Sequence, residues 1–236
     1  MNIAIIPARG GSKRIHRKNV KTFCGKPMIA WSIGAARASG CFDRIIVSTD
    51  DDEIARIAED YGAEAPFRRP AELSDDHTPT VPVIAHAVRW LQQSAEVENA
   101  CCIYATAPLL LAMDLRAGYE ALQGPGVDYA FSVTSFAFPV QRALMLDGAG
   151  RVAMFQPDHA DTRSQDLVDA YHDAGQFYWG RGEAWLDERP VFTNQSVAVR
   201  LPRKRVQDID TLEDWERAEI LFKMMHMEEA SVEATA

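Results

Sequence analysis

An apolar run, Asn2 to Ala8 (NIAIIPA), passes directly into Arg9-Gly10-Gly11-Ser12-Lys13-Arg14-Ile15-His16-Arg17-Lys18-Asn19. A chain that opens this way is committed to a buried strand whose carboxyl end runs into a basic, glycine-containing loop. No Asp or Glu precedes Asp43, and the first 42 residues hold eight of the 25 Lys and Arg. The rest therefore carries 17 bases against 34 acids, although the whole chain has a net charge of only −9. Such an asymmetry calls for an anionic ligand at the amino-terminal end. Gly10 and Gly11 admit backbone geometries closed to other residues, so successive N–H groups can face one concavity and bind phosphate oxygens. Ser12 adds a hydroxyl, and Arg9, Lys13, Lys18 and Lys21 add charge that would neutralise a polyphosphate. A nucleoside triphosphate suits this loop. The stretch has neither the G-x-x-x-x-G-K-[ST] spacing of a P-loop nor the G-x-G-x-x-G of a dinucleotide fold, which argues against an ordinary kinase or dehydrogenase. On composition alone, the competing reading is a strand-to-loop turn with a solvated basic surface.

With 236 residues, 47% of them hydrophobic, the chain suffices for one α/β domain with an elaboration. It contains no apolar stretch of about 18 residues, and Arg9 comes too early for a secretory signal, so cytoplasmic residence without a membrane is expected. Cys24, Cys41, Cys101 and Cys102 form no C-x-x-C pair and read as packing residues rather than as disulfide or zinc ligands. A pI near 5.2 argues against nucleic acid as a partner, because that needs a broad basic face. The tail from Met227 to Ala236 is expected to fray.

The spacing of Met28, Trp31, Ile33 and Ala36 predicts a helix opened by Pro27 and stopped at Ser39-Gly40. Arg44 to Ser48 reads as a second buried strand. Asp50 with Glu53 reads as a capping box for a helix through Tyr61, closed by Gly62. The run Asp50-Asp51-Asp52 also admits a metal cluster, but helix capping explains it more simply. Pro66 to Pro82 is expected to be irregular, Val83 to Leu91 helical, and Ala100 to Ala105 and Tyr129 to Val133 further strands. Strands alternating with helices imply a largely parallel sheet wrapped on both faces, with ligands at the carboxyl ends of its strands. After Phe136, the segments 143–146 and 151–155 flank Asp147-Gly148-Ala149-Gly150 and predict a hairpin. Gln176 to Trp179 and Ser196 to Leu201 read as strands returning to the sheet, and Thr211 to Met225 as a closing helix. The expectation is one domain over residues 1–236 with an inserted arm over 137–172.

The opening IIPARGGSKRIHRKN, the segment Arg69-Pro70-Ala71-Glu72-Leu73-Ser74 and the late Asp208-Ile209-Asp210-Thr211 together resemble the acylneuraminate cytidylyltransferases, enzymes that activate acidic nonulosonic sugars. Asp173-Ala174-Gly175-Gln176-Phe177-Tyr178-Trp179 is similar to the branch that acts on pseudaminic acid. The resemblance implies a Rossmann-like, mostly parallel α/β fold of the nucleotide-diphospho-sugar transferase type. It implies that the sugar's anomeric hydroxyl attacks the α-phosphate of CTP, giving a CMP-sugar and pyrophosphate, with Mg²⁺ required. Sialic, legionaminic and 3-deoxy-manno-octulosonic acids are alternative acceptors within the class, and a non-catalytic nucleotide-binding regulator is the alternative outside it.

By matching position, Arg9, Ser12 and Lys13 would hold the triphosphate beside Gly10 and Gly11, with Lys13 offsetting charge as pyrophosphate departs, Lys18 and Lys21 adding charge, and Asn19 either fixing the loop or touching the nucleotide. Ala8 and Arg69 fall where the family reads the cytosine ring, and Thr80 where it has a small hydroxyl residue near the nucleotide, although RPAELS equally reads as a proline-bounded turn. Asp208 and Asp210 match the metal-binding pair. Alternate residues on an extended segment point the same way, so both carboxylates can reach one hard cation. The competing reading is that Asp210 or Thr211 caps the final helix, with Asp214 completing the box. Around the sugar, the resemblance implies Arg163, with Tyr104, Gln165, His172, Gln176 and Tyr178 as further candidates; a cation there would bind the sugar carboxylate. His172 stands where sialic acid enzymes have a second arginine, Tyr104 where they have a glutamine, and His16 where a proline is usual. The family also implies a homodimer whose arm crosses to the partner, so that Arg163 or His172 completes the neighbour's site. No general base is evident in the sequence.

Overall fold

The computed structural model describes the backbone of residues 1–233 and side chains through Met227. Its first strand, β1 (Asn2–Pro7), buries Ile3, Ala4, Ile5 and Ile6 completely, the mark of a strand covered on both faces. β1 pairs in parallel with β4 (Arg44–Ser48) on one side and β5 (Asn99–Ile103) on the other. The long β9 (Tyr171–Arg181) runs antiparallel between β5 and β6 (Tyr129–Ser135), and β10 (Ser196–Arg200) lies parallel to β6 at the edge. The six-stranded order is β10-β6-β9-β5-β1-β4, a mixed, mostly parallel sheet as expected.

Helices cover both faces. On one, α1 (Met28–Ser39), α2 (Asp52–Asp60) and α4 (Ala112–Leu122) pack Ile33, Ile54 and Leu115 with Ile6, Phe177 and Trp179. On the other, α3 (Thr80–Leu91) and the short α5 (Gly182–Leu186) pack Ile84, Val88 and Trp185 with Ile3, Ile5 and Tyr129. A third cluster lies at the ligand end of the sheet. There α6 (Leu212–Glu233) brings Trp215, Ala218 and Phe222 against Ile15, Phe23 and Ile209. This cluster pins the loop after β1 beside the segment at Asp208 to Asp210. Between β1 and α1, β2 (Thr22–Phe23) and β3 (Lys26–Pro27) form a small ribbon.

Several boundaries differ from the sequence reading. Pro27 precedes α1 instead of opening it, and Gly40, with φ of 67°, stops that helix as expected. The cap of α2 is Asp51, whose Oδ1 accepts the Ile54 N–H at 2.9 Å; Asp50 is used elsewhere. Helix α3 starts at Thr80, inside the segment expected to be irregular. Helices α4 and α5 carry too weak a pattern to be anticipated. In α4 a glycine interrupts the helix interior because a Cβ at Gly118 would lie 2.6 Å from ring atoms of both Phe177 and Trp179. Helix α6 continues through Glu233, so the fraying expected from Met227 is not seen that far, and residues 234–236 lie outside the described part.

Residues 136–170 leave the sheet between β6 and β9. Their hairpin, β7 (Leu144–Leu146) with β8 (Val152–Met154), turns where Asp147 Oδ1 accepts the N–H groups of Ala149 and Arg151 at 2.9 Å. Phe138, Leu146 and Val168 stand largely in solvent on this excursion. Cys101 and Cys102 are buried on opposite faces of β5, and burial pushes both thiols up, consistent with packing roles. Among the described residues no helix is long and apolar enough to cross a membrane.

Candidate active site

The carboxyl end of β1 opens the site. Ala8 is buried beneath it and donates its N–H to Ser48 O at 2.9 Å, carrying the chain out over β4. Asn19 is buried too, and its Nδ2 donates to Arg9 O at 3.0 Å, closing the two ends of the basic loop on each other. Within the loop the Gly10 N–H donates to Asp50 Oδ1 at 2.9 Å, and the Ser12 N–H to Gly10 O at 3.0 Å. The expected nest of consecutive amides is therefore not what faces the ligand space: these N–H groups hold the loop, and side chains supply the cradle. Gly10 is required for fit, since a Cβ there would lie 2.7 Å from Asp51 Oδ2.

Those side chains line a cleft of about 340 Å³ that includes Arg9, Ser12, Lys13, Lys18, Asn19, Arg69, Thr80 and Tyr104. Lys21 is not part of it; its Nζ lies 4.7 Å from the Trp215 ring centroid, a cation–π contact that ties the loop to α6. Within the cleft Arg9 Nη1 lies 2.5 Å from Asp76 Oδ1, and Lys13 Nζ bonds the other oxygen of the same carboxylate. Asp76 is presented by a turn in which Asp75 Oδ1 accepts from the N–H groups of His77 and Thr78 and from the Thr78 hydroxyl. Neither Asp76 nor Arg14, which also lines the cleft, stood out in the sequence.

Close enough to Arg9 to feel its charge, Arg69 is only 5% exposed, and its Nε and Nη2 are buried with no hydrogen-bond partner. Asp50 Oδ1 lies 3.9 Å from Nη2, and burial pushes the guanidinium pKa down. Orphaned donors of this kind cost free energy unless a ligand acceptor meets them.

The pair Asp208 and Asp210 stands beside the cleft. Lys18 Nζ donates to Ile209 O at 2.5 Å and lies 3.4 Å from Asp210 Oδ1, which Arg14 Nη2 also meets at 2.8 Å. Helix capping does not explain the pair. Thr211 Oγ1 accepts the Asp214 N–H at 3.2 Å, while Asp214 Oδ2 accepts the Thr211 N–H at 2.8 Å, so the box is built without the Asp208 or Asp210 carboxylate. Partial burial, and then the like charge of Asp210, hold the Asp208 carboxyl above its ordinary range. A divalent cation would relieve that repulsion, and two carboxylates completed by phosphate oxygens and water suit Mg²⁺.

A second hollow of about 290 Å³ adjoins the cleft, sharing Thr80 and Tyr104 and adding Asp173, Tyr178, Trp185 and Phe192. Two of the sugar candidates, Tyr104 and Tyr178, lie here. Gln176 does not: at 3% exposure, its Nε2 donates to Arg205 O at 2.5 Å, and the Arg205 guanidinium in turn forms an ion pair with Asp114 of α4. A bulge in the β6–β9 pairing turns Gln176 away from the hollow. Arg163, Gln165 and His172 lie on or next to the excursion and are not among the residues lining either hollow. Arg163 pairs with Asp166 at 2.7 Å, and the His172 ring lies edge-on to Phe136, with centroids 4.9 Å apart.

Comparison with known proteins places this geometry. The family model described as Cytidylyltransferase matches residues 3–218. A pseudaminic acid cytidylyltransferase of Campylobacter jejuni subsp. jejuni is 48% identical over 226 residues, covering 95% of this chain and 97% of that protein. An N-acylneuraminate cytidylyltransferase of Escherichia coli O18:K1:H7 is 31% identical over 222 residues, covering 92% of this chain and 51% of that one. Among solved structures, a CMP:2-keto-3-deoxy-manno-octonic acid synthetase complexed with CTP superimposes with a TM-score of 0.67 at 16% identity, over 95% of this chain and 99% of that one, and so shares its fold.

Proposed function

The chain belongs to the cytidylyltransferase family, and we propose that it joins pseudaminic acid to CTP, giving CMP-pseudaminic acid and pyrophosphate. One observation carries the reading. A single cleft holds two cations closed on one carboxylate and, within reach of Arg9, a buried guanidinium with unpartnered N–H groups. The paired cations suit a triphosphate, and the unpartnered donors suit the ring acceptors of a cytosine.

In this reading Arg9, Ser12 and Lys13 receive the phosphates, and Lys13 offsets the charge that builds on the departing pyrophosphate. Displacement at phosphorus needs little from the protein beyond positioning and charge neutralisation, and these residues supply both. Asp208 and Asp210 would hold Mg²⁺, which when bound lowers the cost of charge on the phosphate oxygens. Lys18 fixes the backbone at Ile209 between them. The acceptor sugar occupies the second hollow, where Val191 and Phe192 offer apolar surface to its substituents and Tyr104 and Tyr178 offer hydroxyls. The exposed apolar side chains of residues 136–170 suit a homodimer in which each excursion reaches its partner, and dependence on CTP suits a cytoplasmic enzyme.

The test is incubation of purified protein with CTP and Mg²⁺ and, separately, pseudaminic, N-acetylneuraminic, legionaminic and 3-deoxy-manno-octulosonic acids, reading pyrophosphate and CMP-sugar mass. Turnover with pseudaminic acid far above the others is expected. Preference for another acid would replace the substrate, and CTP binding without turnover on any acid would overturn the enzymatic reading.

A further inference from the structure

Between its edge strand and the cleft, the chain has a gap to cross. β10 ends at Arg200 on the edge of the sheet, whereas Ile209 shares a buried cluster with Ile15 and is held by Lys18, both on the loop that leaves β1. β6, β9 and β5 stand between β10 and β1, so the crossing covers four strand spacings, on the order of 19 Å. Residues 202–208 make it with only a single 3₁₀ turn at Arg203–Arg205. Arg205, the central residue of the crossing, is caught from β9, the central strand of the five. Gln176 Nε2 donates to Arg205 O at 2.5 Å, and from α4 the Asp114 Oδ1 accepts Arg205 Nη2 at 2.9 Å. Three residues later the chain presents Asp208. The same glutamine also anchors the acceptor side. Its backbone carbonyl accepts the Tyr104 N–H at 2.9 Å, and Tyr104 lines both the cleft and the second hollow. Packing alone does not explain this residue. At 3% exposure, its Oε1 is buried with no hydrogen-bond partner, so half of the amide is left unsatisfied. An apolar side chain of similar size would avoid that cost. What glutamine supplies and leucine cannot is the donor to Arg205 O.

We propose that Gln176 is a positioning residue that sets the Asp208 and Asp210 pair in place relative to the acceptor hollow, a proposal that rests on the transfer reaction inferred above. In that reaction the acceptor oxygen has to meet the phosphate that stands beside the two carboxylates. A misplacement of about 1 Å between such partners costs up to about 10²-fold in rate. Gln176 fixes the relation directly, because it grips Tyr104 with its backbone and Arg205 with its side chain. It touches neither substrate and acts through those two residues. Past Arg205, the ties at Gln207 and Lys18 hold the segment to α6 and to the basic loop, but neither refers it to the acceptor side. Gln176 is the residue that does.

The experiment compares the unchanged protein with Gln176→Leu, which removes the donor at similar volume, and with Ser132→Ala. The second variant loosens the same residue from its backbone side, since Ser132 Oγ accepts the Gln176 N–H at 3.3 Å and the Phe177 N–H at 3.2 Å. Mn²⁺ serves as the probe, its Kd in the presence of CTP read from the paramagnetic resonance of the free ion. The Kd for CTP without metal, the kinetics with pseudaminic acid and urea unfolding are measured alongside. Gln176→Leu is expected to weaken Mn²⁺ binding and to lower kcat by about tenfold or more each, the range of lost supports behind a metal site. Its Kd for CTP and its KM for the acid should stay within about twofold of the unchanged protein. Ser132→Ala should keep Mn²⁺ affinity and kcat within about twofold, even where urea shows it to be the less stable variant. The proposal is overturned if Gln176→Leu keeps either Mn²⁺ affinity or kcat within about twofold. It is equally overturned if Ser132→Ala shows the same losses, which would reduce Gln176 to a support of β9. Should Gln176→Leu fail to fold, Gln176→Glu decides: its carboxyl regains a donor only when protonated, so its kcat relative to the unchanged protein should rise as pH falls, and a flat ratio would overturn the proposal. Absence of turnover by the unchanged protein on any acid would remove the cytidylyl-transfer reading, while Mn²⁺ binding would still judge Gln176.

Discussion

Asp76 lies on Arg9 and Lys13 where the oxygens of a triphosphate would lie. If nucleotide binds here as proposed, both cations exchange one anionic partner for another, and the carboxylate competes with the ligand. Asp76→Asn keeps the shape and removes the charge. The expected result is a Kd for CTP several-fold lower by calorimetry, with a difference that shrinks as ionic strength rises, because the contact is open to solvent. An unchanged or higher Kd would mean that Asp76 supports the bound state. Sequence reasoning passed over this residue because a lone aspartate in a polar turn has no pattern; only the fold sets residue 76 opposite residues 9 and 13. Arg69 shows the opposite case. Its place in the proline-bounded motif marked it, and its burial with unpartnered nitrogens supplies the physical ground.

The packing of α2 explains how the basic loop keeps its form. Asp51 caps that helix and also takes a two-pronged ion pair from Arg17, whose backbone sits in the left-handed region at φ of 53°. One carboxylate thus fixes a helix start and a strained loop residue together. The Arg17 guanidinium first, and also the Ile54 N–H, hold the Asp51 carboxyl below its ordinary value of 3.8. A depressed folded value contributes stability that is fully present above the ordinary aspartate range and is lost as pH falls through the folded value. Urea unfolding of Asp51→Asn should therefore show lower stability than the unchanged protein at neutral pH, by about 0.5–2 kcal/mol on the scale of a lost cap. The gap should narrow as the pH is taken below about 4, the ordinary aspartate range. A constant gap would assign the loss to capping geometry alone. At this scale the strands were legible from their apolar runs and β-branched content, whereas the cap was misplaced by one residue. In the triple Asp50-Asp51-Asp52 each carboxylate has a different partner: Gly10, Arg17 and Arg68 respectively.

Over the whole molecule, the excursion of residues 136–170 displays more apolar surface than a solitary chain needs, with Phe138 at 83% and Val168 at 81% exposure. If it reaches a partner, Arg163, Gln165 and His172 serve a neighbouring hollow. Mixing an Arg163→Ala variant with a Lys13→Ala variant should then restore activity in confirmed heterodimers, because one of the two composite sites keeps both residues. Heterodimers without recovery would show each subunit to be self-sufficient. The amino-acid sequence by itself determined the mostly parallel sheet and the basic loop at the end of its first strand, and it marked Arg9, Ser12, Lys13, Lys18, Asn19, Arg69 and Thr80, which the fold gathers along one cleft. Apolar runs suffice for the strands, clustered cations for the basic loop, and resemblance to a family for the remaining residues. Only the tertiary structure decided that Gly10 and Ser12 spend their amides on the loop itself, that Lys21 leaves the cleft for Trp215, and that Gln176 turns inward. It alone set Thr80 against Tyr104 and Tyr178 against Asp173 around one hollow, because which segments meet depends on strand order and register, which no local stretch encodes.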